Sequence, residues 1–260
     1  CLVGSEMCIR DRVNTGLFFG LTGRVIPTSS ACTSGSQAIG YAYEAIRFGL
    51  QDAMVAGGAE ELCPSEVAVF DTLFATSTLN DTPSVTPKPF DRTRDGLVIG
   101  EGAGTLMLEE LEHAKARGAK IYAEIVGFAT NCDATYITQP NRVTIQRCIE
   151  DALRMAELSP ADIGYISAHG TATGRGDVAE SQATAAVFGN KTPISSIKSF
   201  LGHTLGACGA IEAIYAIQMM REGWFSPTIN LSEPDPECGN LDYIMGEERQ
   251  IETVSYTHLR

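Results

Sequence analysis

Short apolar segments alternate with helical patterns along most of this 260-residue chain, and this alternation restricts the possible folds more than any other feature. Segments such as GYISAHG and PISSIKS have the length of strands, and a helical pattern follows each of them. Strands that alternate with helices imply a mostly parallel sheet covered by helices on both faces. The strand segments lack strict polar alternation, which favours burial on both sides. The sequence therefore predicts an α/β protein.

The chain divides near residues 115–120 into two halves that repeat one theme. In each half a strand ends in a turn of small residues, and the turn carries a chemically capable side chain toward a helix, Cys32 in the first half and His203 in the second. Such turns at the carboxyl ends of strands are where α/β folds place ligands. We therefore expect two related subdomains that share one cleft. The predicted elements are strands at VIPTSSA, AMVAGGAE, LVIGEGAGTLMLEEL, IYAEIVGFAT, GYISAHG and PISSIKS, helices near 34–49 and 143–157 and at DVAESQATAAVFG and LGACGAIEAIYAIQMMREG, and a loop over 80–94.

Composition and charge exclude several classes of function. The net charge of −13 disfavours nonspecific nucleic-acid binding, and no apolar run is long enough to cross a bilayer. The eight cysteines are scattered singly, without the spacing of a disulfide framework or a zinc site, so we expect reduced thiols and no metal. We expect seven of them to be small buried apolar residues and the scattered arginines and lysines to be solvated surface charges. A cytoplasmic enzyme with no nucleic-acid or membrane partner is the default expectation.

Cys32 is the exception among the cysteines. It lies in TSSACTSGSQAIGYAYEAIRFG, where a small-residue turn gives way to a helix. A thiol at a helix N-terminus feels the positive end of the macrodipole and the unpaired backbone N–H groups, and both favour the thiolate. Two histidines in Gly/Thr/Ser-rich frames, His169 and His203, follow downstream. One thiol and two imidazoles can carry out acyl transfer. The glycines of GEGAGT run into a strand and not a helix, so nucleotide binding is not predicted there.

Five separated strings resemble the β-ketoacyl-acyl carrier protein synthases, the decarboxylating condensing enzymes of fatty acid and polyketide synthesis. They are ACTSG, GGAEE, PFDRTRDGLVIGEGAG, AHGTATGRGDVAE and KSFLGHTLGACGA, in the family's order and approximate spacing. The resemblance spans residues 13–253 and is strongest to the elongating type I/II enzymes. It implies a thiolase-like αβαβα layered architecture with two related subdomains, incomplete here.

The resemblance also implies roles for individual residues. Cys32 would accept the acyl chain as a thioester, and a malonyl thioester on carrier protein would then lose carbon dioxide and attack it. His169 and His203 would present Nε2–H groups to the thioester oxygen where enolate charge develops. Lys198 would set the electrostatics of the site, paired with Glu212, while Glu180 supports the network. Four further positions would bind substrate, namely Thr171, Thr173 and Thr138 for the phosphopantetheine arm and Phe70 for the acyl pocket.

The resemblance covers only part of the family's length. The family has a longer segment before the cysteine turn and, after the matched region, a Gly/Phe-rich loop that supplies a second oxyanion donor. We expect residues 1–12 and 254–260 to be non-native tails that resemble translated adapter sequence, residues 13–115 to be the C-terminal part of the first subdomain, and residues 116–253 to be most of the second. Since loss of one oxyanion donor typically costs ~10²–10³ in rate, we expect low activity or none from this chain alone.

The resemblance implies a homodimer, no cofactor, and acyl carrier protein with its malonyl and acyl thioesters as partner and substrates. Two rival functions stay open at this point. A thiolase would use a second active-site cysteine and lacks the paired HGT and GH histidines seen here. A noncatalytic chain-length-factor-like subunit would replace the nucleophilic cysteine, whereas Cys32 is present.

Overall fold

The computed structural model describes residues 13–135, 139–252 and 255–258. Two amphipathic helices, Ser34–Arg47 and Arg142–Ala156, begin and end close to where the sequence patterns place them. Residues 13–19 are also helical. The helices are α1 (Ser34–Arg47), α2 (Pro64–Thr72), α3 (Leu111–Ala116), α4 (Arg142–Ala156), α5 (Gly174–Phe188), α6 (Lys198–Leu201) and α7 (Cys208–Glu222).

The strands of the described residues are β1 (Ala53–Glu60), β2 (Gly102–Glu109), β3 (Tyr165–Ser167), β4 (Pro193–Ser195), β5 (Trp224–Phe225), β6 (Asp242–Tyr243), β7 (Arg249–Gln250) and β8 (Tyr256–His258). They form three separate sheets. A parallel sheet has the order β6-β4-β3-β8, while β1 and β2 pair antiparallel, as do β5 and β7.

The expectation of a mostly parallel sheet is therefore correct for the second half and wrong for the first. The β1–β2 pair is antiparallel, with Ala53 opposite Glu109 and Glu60 opposite Gly102. Burial on both sides is also wrong for this pair, because Val55 and Met107 lie opposite each other and are 36% and 59% exposed. In β3 all three side chains are buried, and in β4 those of Ile194 and Ser195 are.

The core shows four successive layers. On one face of the parallel sheet, Ile166 and Ile194 pack with Ile149 of α4 and Phe188 of α5. On the other face, Tyr165 packs with side chains of α7 such as Met219. Helices α1 and α7 contact each other and the β1–β2 pair, so they form a central helical layer between two sheets. This is the expected αβαβα order without a layer over Val55 and Met107 among the described residues.

Three predicted strands differ from the structure. VIPTSSA has no strand, LVIGEGAGTLMLEEL is extended in a ladder only over β2, and IYAEIVGFAT has none. A strand needs a neighbour with which to exchange hydrogen bonds. Ile125 of the last segment packs against the β1–β2 core, and the Val126 carbonyl accepts from the Tyr43 hydroxyl, so side chains and not a ladder hold it. Within the described ranges, no helix is long and apolar enough to cross a membrane.

Candidate active site

Cys32 lies in a 3-10 turn, Ala31–Thr33, that leads directly into α1. The preceding Ala31 has a φ of 51°, a left-handed conformation that is uncommon for a residue with a Cβ. The backbone carbonyl of Ser30 accepts from the Thr33 N–H, and the Ser34 hydroxyl accepts from the Ser30 N–H, so the turn is bonded across its base. The turn thus holds a half-buried thiol at the start of a helix, as the sequence predicts.

His203 reaches the thiol from the other half of the chain. Its backbone lies beside residues 98–100, with its N–H donating to the Val98 carbonyl at 2.7 Å. Its Nδ1 accepts from the backbone N–H of Leu205 at 3.1 Å, so the ring proton is on Nε2. That Nε2 lies 2.9 Å from the Cys32 sulfur. The imidazole therefore directs an N–H toward the nucleophile.

His169 is oriented in the same way by a buried ion pair. The Lys198 ammonium contacts His169 Nδ1 at 3.2 Å and forms a short ion pair with Glu212. Both members of the pair are 2% exposed. An ammonium donates and cannot accept, so the His169 ring proton is also on Nε2. The two imidazole centroids are 5.2 Å apart with perpendicular rings. The structure thus brings together the five residues Cys32, His169, Lys198, His203 and Glu212.

Ligand atoms of Cys32, His169 and His203 lie within 4.8 Å of one another, which is close enough to consider a metal site. A metal-bound imidazole offers a lone pair from one nitrogen and donates a proton from the other. Here both Nδ1 atoms already accept from donors, the Leu205 amide and the Lys198 ammonium. The Nε2 atoms therefore carry protons, and the arrangement suits a developing oxyanion better than a cation.

Two buried carboxylates hold the loop that carries His169. Glu180 accepts from the backbone N–H groups of His169 at 2.6 Å and Gly170 at 2.8 Å. Asp177 accepts from the N–H groups of Thr171 and Ala172, and from a third N–H in a separate loop. Ala172 has a φ of 66°. Burial raises the pKa of Asp177 to about 6 and that of Glu180 to about 7, against the opposing effect of these hydrogen bonds.

Replacing Glu180 should change how stability depends on pH. Burial raises its folded-state pKa from the usual 4.5 to about 7, and Asp177 raises this pKa further while Lys198 lowers it. The folded protein therefore binds more protons than the unfolded chain in that window, and its free energy of unfolding falls as pH rises from about 4.5 to 7. In E180Q this fall should be shallower, which urea unfolding across the window measures.

The exposed Glu237 provides the control for that experiment. E237Q should keep the wild-type pH dependence. Parallel curves for the wild-type protein and E180Q would contradict the raised pKa of Glu180.

The residues predicted to bind substrate fall into three groups. Thr171 and Thr173 lie on the His169 loop, and their hydroxyls contact each other at 2.9 Å. Phe70 is half-buried on α2, and the structure gives no contact between its side chain and the cluster of Cys32, His169 and His203. Thr138 lies outside the described residues. The binding roles of all four stay predictions.

Arg94 corrects one expectation. Its side chain is 5% exposed and bonds to the carbonyls of Thr173 and Gly174 and to the carboxylates of Asp177 and Asp235. The PFDRTRDG segment therefore holds the loop that carries Thr171 and Thr173, and Arg94 is not a solvated surface charge. The sequence signal for this burial is that the charged residues of the segment lie among Phe, Gly and Leu. The expectation that the cysteines other than Cys32 are buried is correct for Cys208 and wrong for Cys132, which is exposed.

A basic groove of about 730 Å³ continues outward from the same loop. Arg175 and Arg142 are exposed along it, and Gly174 joins it to Thr173. Arg92 also lines it, with its guanidinium paired to Glu233. Asp235 and Glu237 line it as well, and Arg92 and Arg94 are paired with carboxylates, so the positive charge of the groove comes from Arg142 and Arg175.

Comparison with protein families gives two matches. The model described as Beta-ketoacyl synthase, N-terminal domain matches residues 14–114, and Beta-ketoacyl synthase, C-terminal domain matches residues 122–232. Together they cover most of the chain.

Similar proteins and structures agree with this match. The chain is 43% identical over 250 residues to 3-oxoacyl-[acyl-carrier-protein] synthase 2 of Vibrio cholerae, covering 94% of this chain and 60% of that protein. A beta-ketoacyl synthase from Burkholderia phymatum matches with a TM-score of 0.92 and 63% identity, covering 93% of this chain and 59% of that one. A type II polyketide ketosynthase, solved with its acyl carrier protein, matches with a TM-score of 0.88 and 39% identity, covering 93% and 61%. The chain thus spans about 60% of the length of these relatives.

Proposed function

The chain belongs to the beta-ketoacyl synthase family, and from this premise we propose that a whole protein carrying this sequence catalyses decarboxylative Claisen condensation. The reaction joins an acyl thioester to malonyl-acyl carrier protein and gives 3-oxoacyl-acyl carrier protein, in fatty acid or polyketide-type elongation. The single observation that carries the proposal is the His203 Nε2–H aimed at the Cys32 sulfur from 2.9 Å. It supports a stabilised thiolate, the form that attacks a thioester.

The proposed reaction assigns a step to each of these groups. The Cys32 thiolate attacks the acyl thioester, and the carrier protein's thiolate leaves, so that the acyl group is transferred to Cys32. Malonyl-acyl carrier protein then loses carbon dioxide, and the electron pair of the broken bond becomes an enolate on its thioester. His169 and His203 donate from Nε2 to that enolate oxygen. The carbanion carbon attacks the acyl-Cys32 carbonyl, and Cys32 leaves as a thiolate.

Carbon dioxide release tests this proposal. A whole protein with this site should release carbon dioxide from malonyl-acyl carrier protein in step with 3-oxoacyl product. H169A and H203A should each lower decarboxylation by ~10²–10³, the usual effect of losing an oxyanion donor. The exposed His113 supplies the control, and H113A should keep full activity. Condensation without carbon dioxide release would favour a thiolase, and neither activity in the whole protein would favour a noncatalytic chain-length-factor-like subunit.

We further propose acyl carrier protein as the partner, which brings the phosphopantetheine arm so that no resident cofactor is needed. The similar polyketide ketosynthase was solved in complex with an acyl carrier protein. The exposed Arg142 and Arg175 of the groove supply positive charge for an anionic partner beside Thr173. Complementary charge mainly accelerates association and fixes orientation.

Charge reversal in the groove should weaken use of the carrier protein. With R142E and R175E combined, KM for acyl-acyl carrier protein should rise about fivefold to tenfold at low salt and less at high salt, since salt screens exposed charges. The turnover number should change little, because neither residue contacts Cys32, His169 or His203. The double reversal K120E/K191E, at two exposed residues outside the groove, changes the net charge by the same amount and is the matched control. An equal KM increase in K120E/K191E would point to net charge and not to the groove.

The remaining expectations also belong to the proposal. We propose a homodimer, because Leu17, Phe18 and Phe19 before the cysteine turn are 65–82% exposed and a second copy would cover them. We propose a cytoplasmic location, because none of the six cysteines that the structure describes forms a disulfide and a thiolate nucleophile needs reducing conditions.

A further inference from the structure

The turn that follows His203 is held in an unfavourable conformation. Leu205 begins the 3-10 turn Leu205–Ala207 with a φ of 40°, in the left-handed region that residues with a Cβ seldom occupy. A residue with a Cβ persists in this conformation only where its surroundings determine it. Neighbouring contacts must therefore fix this turn.

The conformation of this turn sets the chemistry of His203. The Leu205 N–H donates to Nδ1, and this bond keeps the ring proton on the Nε2 that faces Cys32. If the turn relaxed, Leu205 would rotate its N–H away from Nδ1. The imidazole could then change tautomer or orientation, and the thiolate would lose its donor.

Gly206, next in the turn, is held through both its backbone carbonyl and its backbone N–H. Its carbonyl lies between two glycines, where a Cβ on Gly58 would come within 2.1 Å of the oxygen and a Cβ on Gly35 within 2.9 Å. Its N–H donates to Glu60 Oε2 at 3.0 Å. Gly35 belongs to α1 behind Cys32, and Gly58 and Glu60 belong to β1. The lack of a Cβ at Gly35 and Gly58 allows the Gly206 carbonyl to approach them closely, and Glu60 adds a directional hydrogen bond to the Gly206 N–H.

We propose that Glu60 is a positioning residue that fixes the Leu205–Gly206 turn and thereby keeps the His203 Nε2–H directed at Cys32. The inference gives a role to the GGAEE string, for which the proposed reaction provides none. Its neighbour Glu61 alternates to the opposite face of the chain and is exposed, as expected for an ordinary surface carboxylate. Glu60 itself is half-buried at the end of a paired strand, opposite Gly102.

Four variants separate the hydrogen bond from the charge. E60Q keeps an oxygen at the same reach and removes the charge. E60D keeps the charge but is one methylene too short to reach the Gly206 N–H. E60A removes both, and E61A is the control at the adjacent position. The readout is the rate of Cys32 alkylation by iodoacetamide at neutral pH, followed by mass spectrometry of the Cys32 peptide in the chain as it is.

E60D and E60A should alkylate Cys32 about tenfold more slowly, the equivalent of one lost hydrogen bond to a charged group, while E60Q and E61A stay near the wild-type rate. A purely electrostatic role gives the opposite sign, because loss of a nearby carboxylate favours the thiolate and speeds alkylation. Urea unfolding identifies any variant that fails to fold, in which case the folded E60Q and E60D decide. Equal rates in E60D and E60Q would overturn the proposal.

The inference rests on the cluster of the proposed function, but its test requires no turnover. If the whole wild-type protein fails to condense while E60D alkylates slowly, the proposed function is disproved and the positioning role is left intact. Wild-type alkylation rates in E60D and E60A, in a protein that condenses normally, would disprove only the positioning role. In a whole protein the positioning role also predicts a lower turnover number with an unchanged KM for acyl-acyl carrier protein in E60D.

Discussion

Replacement of Cys32 by alanine should abolish formation of a covalent acyl intermediate. Intact mass after incubation with acyl-loaded carrier protein should show one acyl adduct on a protein with the wild-type site and none on C32A. Condensation in a whole protein should fall by at least ~10³-fold, as expected when the attacking atom is removed. The physical reason is that Cys32 is the thiol to which the structure directs the His203 Nε2–H.

The other cysteines supply the controls for that experiment. Cys132 is exposed and Cys208 lies with its sulfur 3.5 Å from His203 Nδ1. C132A should retain the full adduct, which excludes nonspecific acylation of exposed thiols. C208A should also retain it, because Leu205 still donates to His203 Nδ1. An adduct that persists on C32A would disprove the assignment of the nucleophile.

Breaking the Lys198–Glu212 pair should strongly lower the free energy of unfolding. Both groups are almost fully buried, and removing one leaves the other charged without its partner. Such losses are ~3–5 kcal/mol. K198M and E212L should each lower the urea midpoint accordingly, measured by circular dichroism.

The double variant distinguishes a pair from two independent residues. K198M/E212L removes both charges, so it should be more stable than either single variant, and a double-mutant cycle gives the coupling energy. The exposed pair Lys115–Glu112 is the matched control, and K115M should leave the urea midpoint close to the wild-type value. Additive losses in the double variant would contradict a coupled buried pair.

Regular amphipathic segments made much of the fold predictable. Helix α4 and helix α1 were expected within about two residues of their observed ends, because apolar side chains at helical spacing specify one buried face. The direction of strand pairing was not predictable in the same way. Nothing local to AMVAGGAE states that its partner runs antiparallel, since pairing depends on where the intervening chain returns.

The candidate site was predictable only in part. Cys32 could be singled out from its turn, but the meeting of His169, His203 and Lys198 rested on the resemblance, because residues this far apart in sequence share no local pattern. Arg94 and Asp177 were missed because charged residues are exposed by default. Their burial is explained by mutual pairing and by backbone N–H donors, which only the folded chain brings together.

The crossing of glycines around the Gly206 carbonyl determines which positions tolerate mutation. Gly35 of α1 and Gly58 of β1, far apart in sequence, both approach the Gly206 carbonyl, so α1, β1 and the turn after His203 meet there backbone against backbone. In a saturation library Gly35 and Gly58 should reject even alanine, although neither bears a reactive group. By contrast Gly174, with open space around its Cα, should accept several replacements. A fitness map of this protein would therefore mark part of its active centre by positions that accept only glycine.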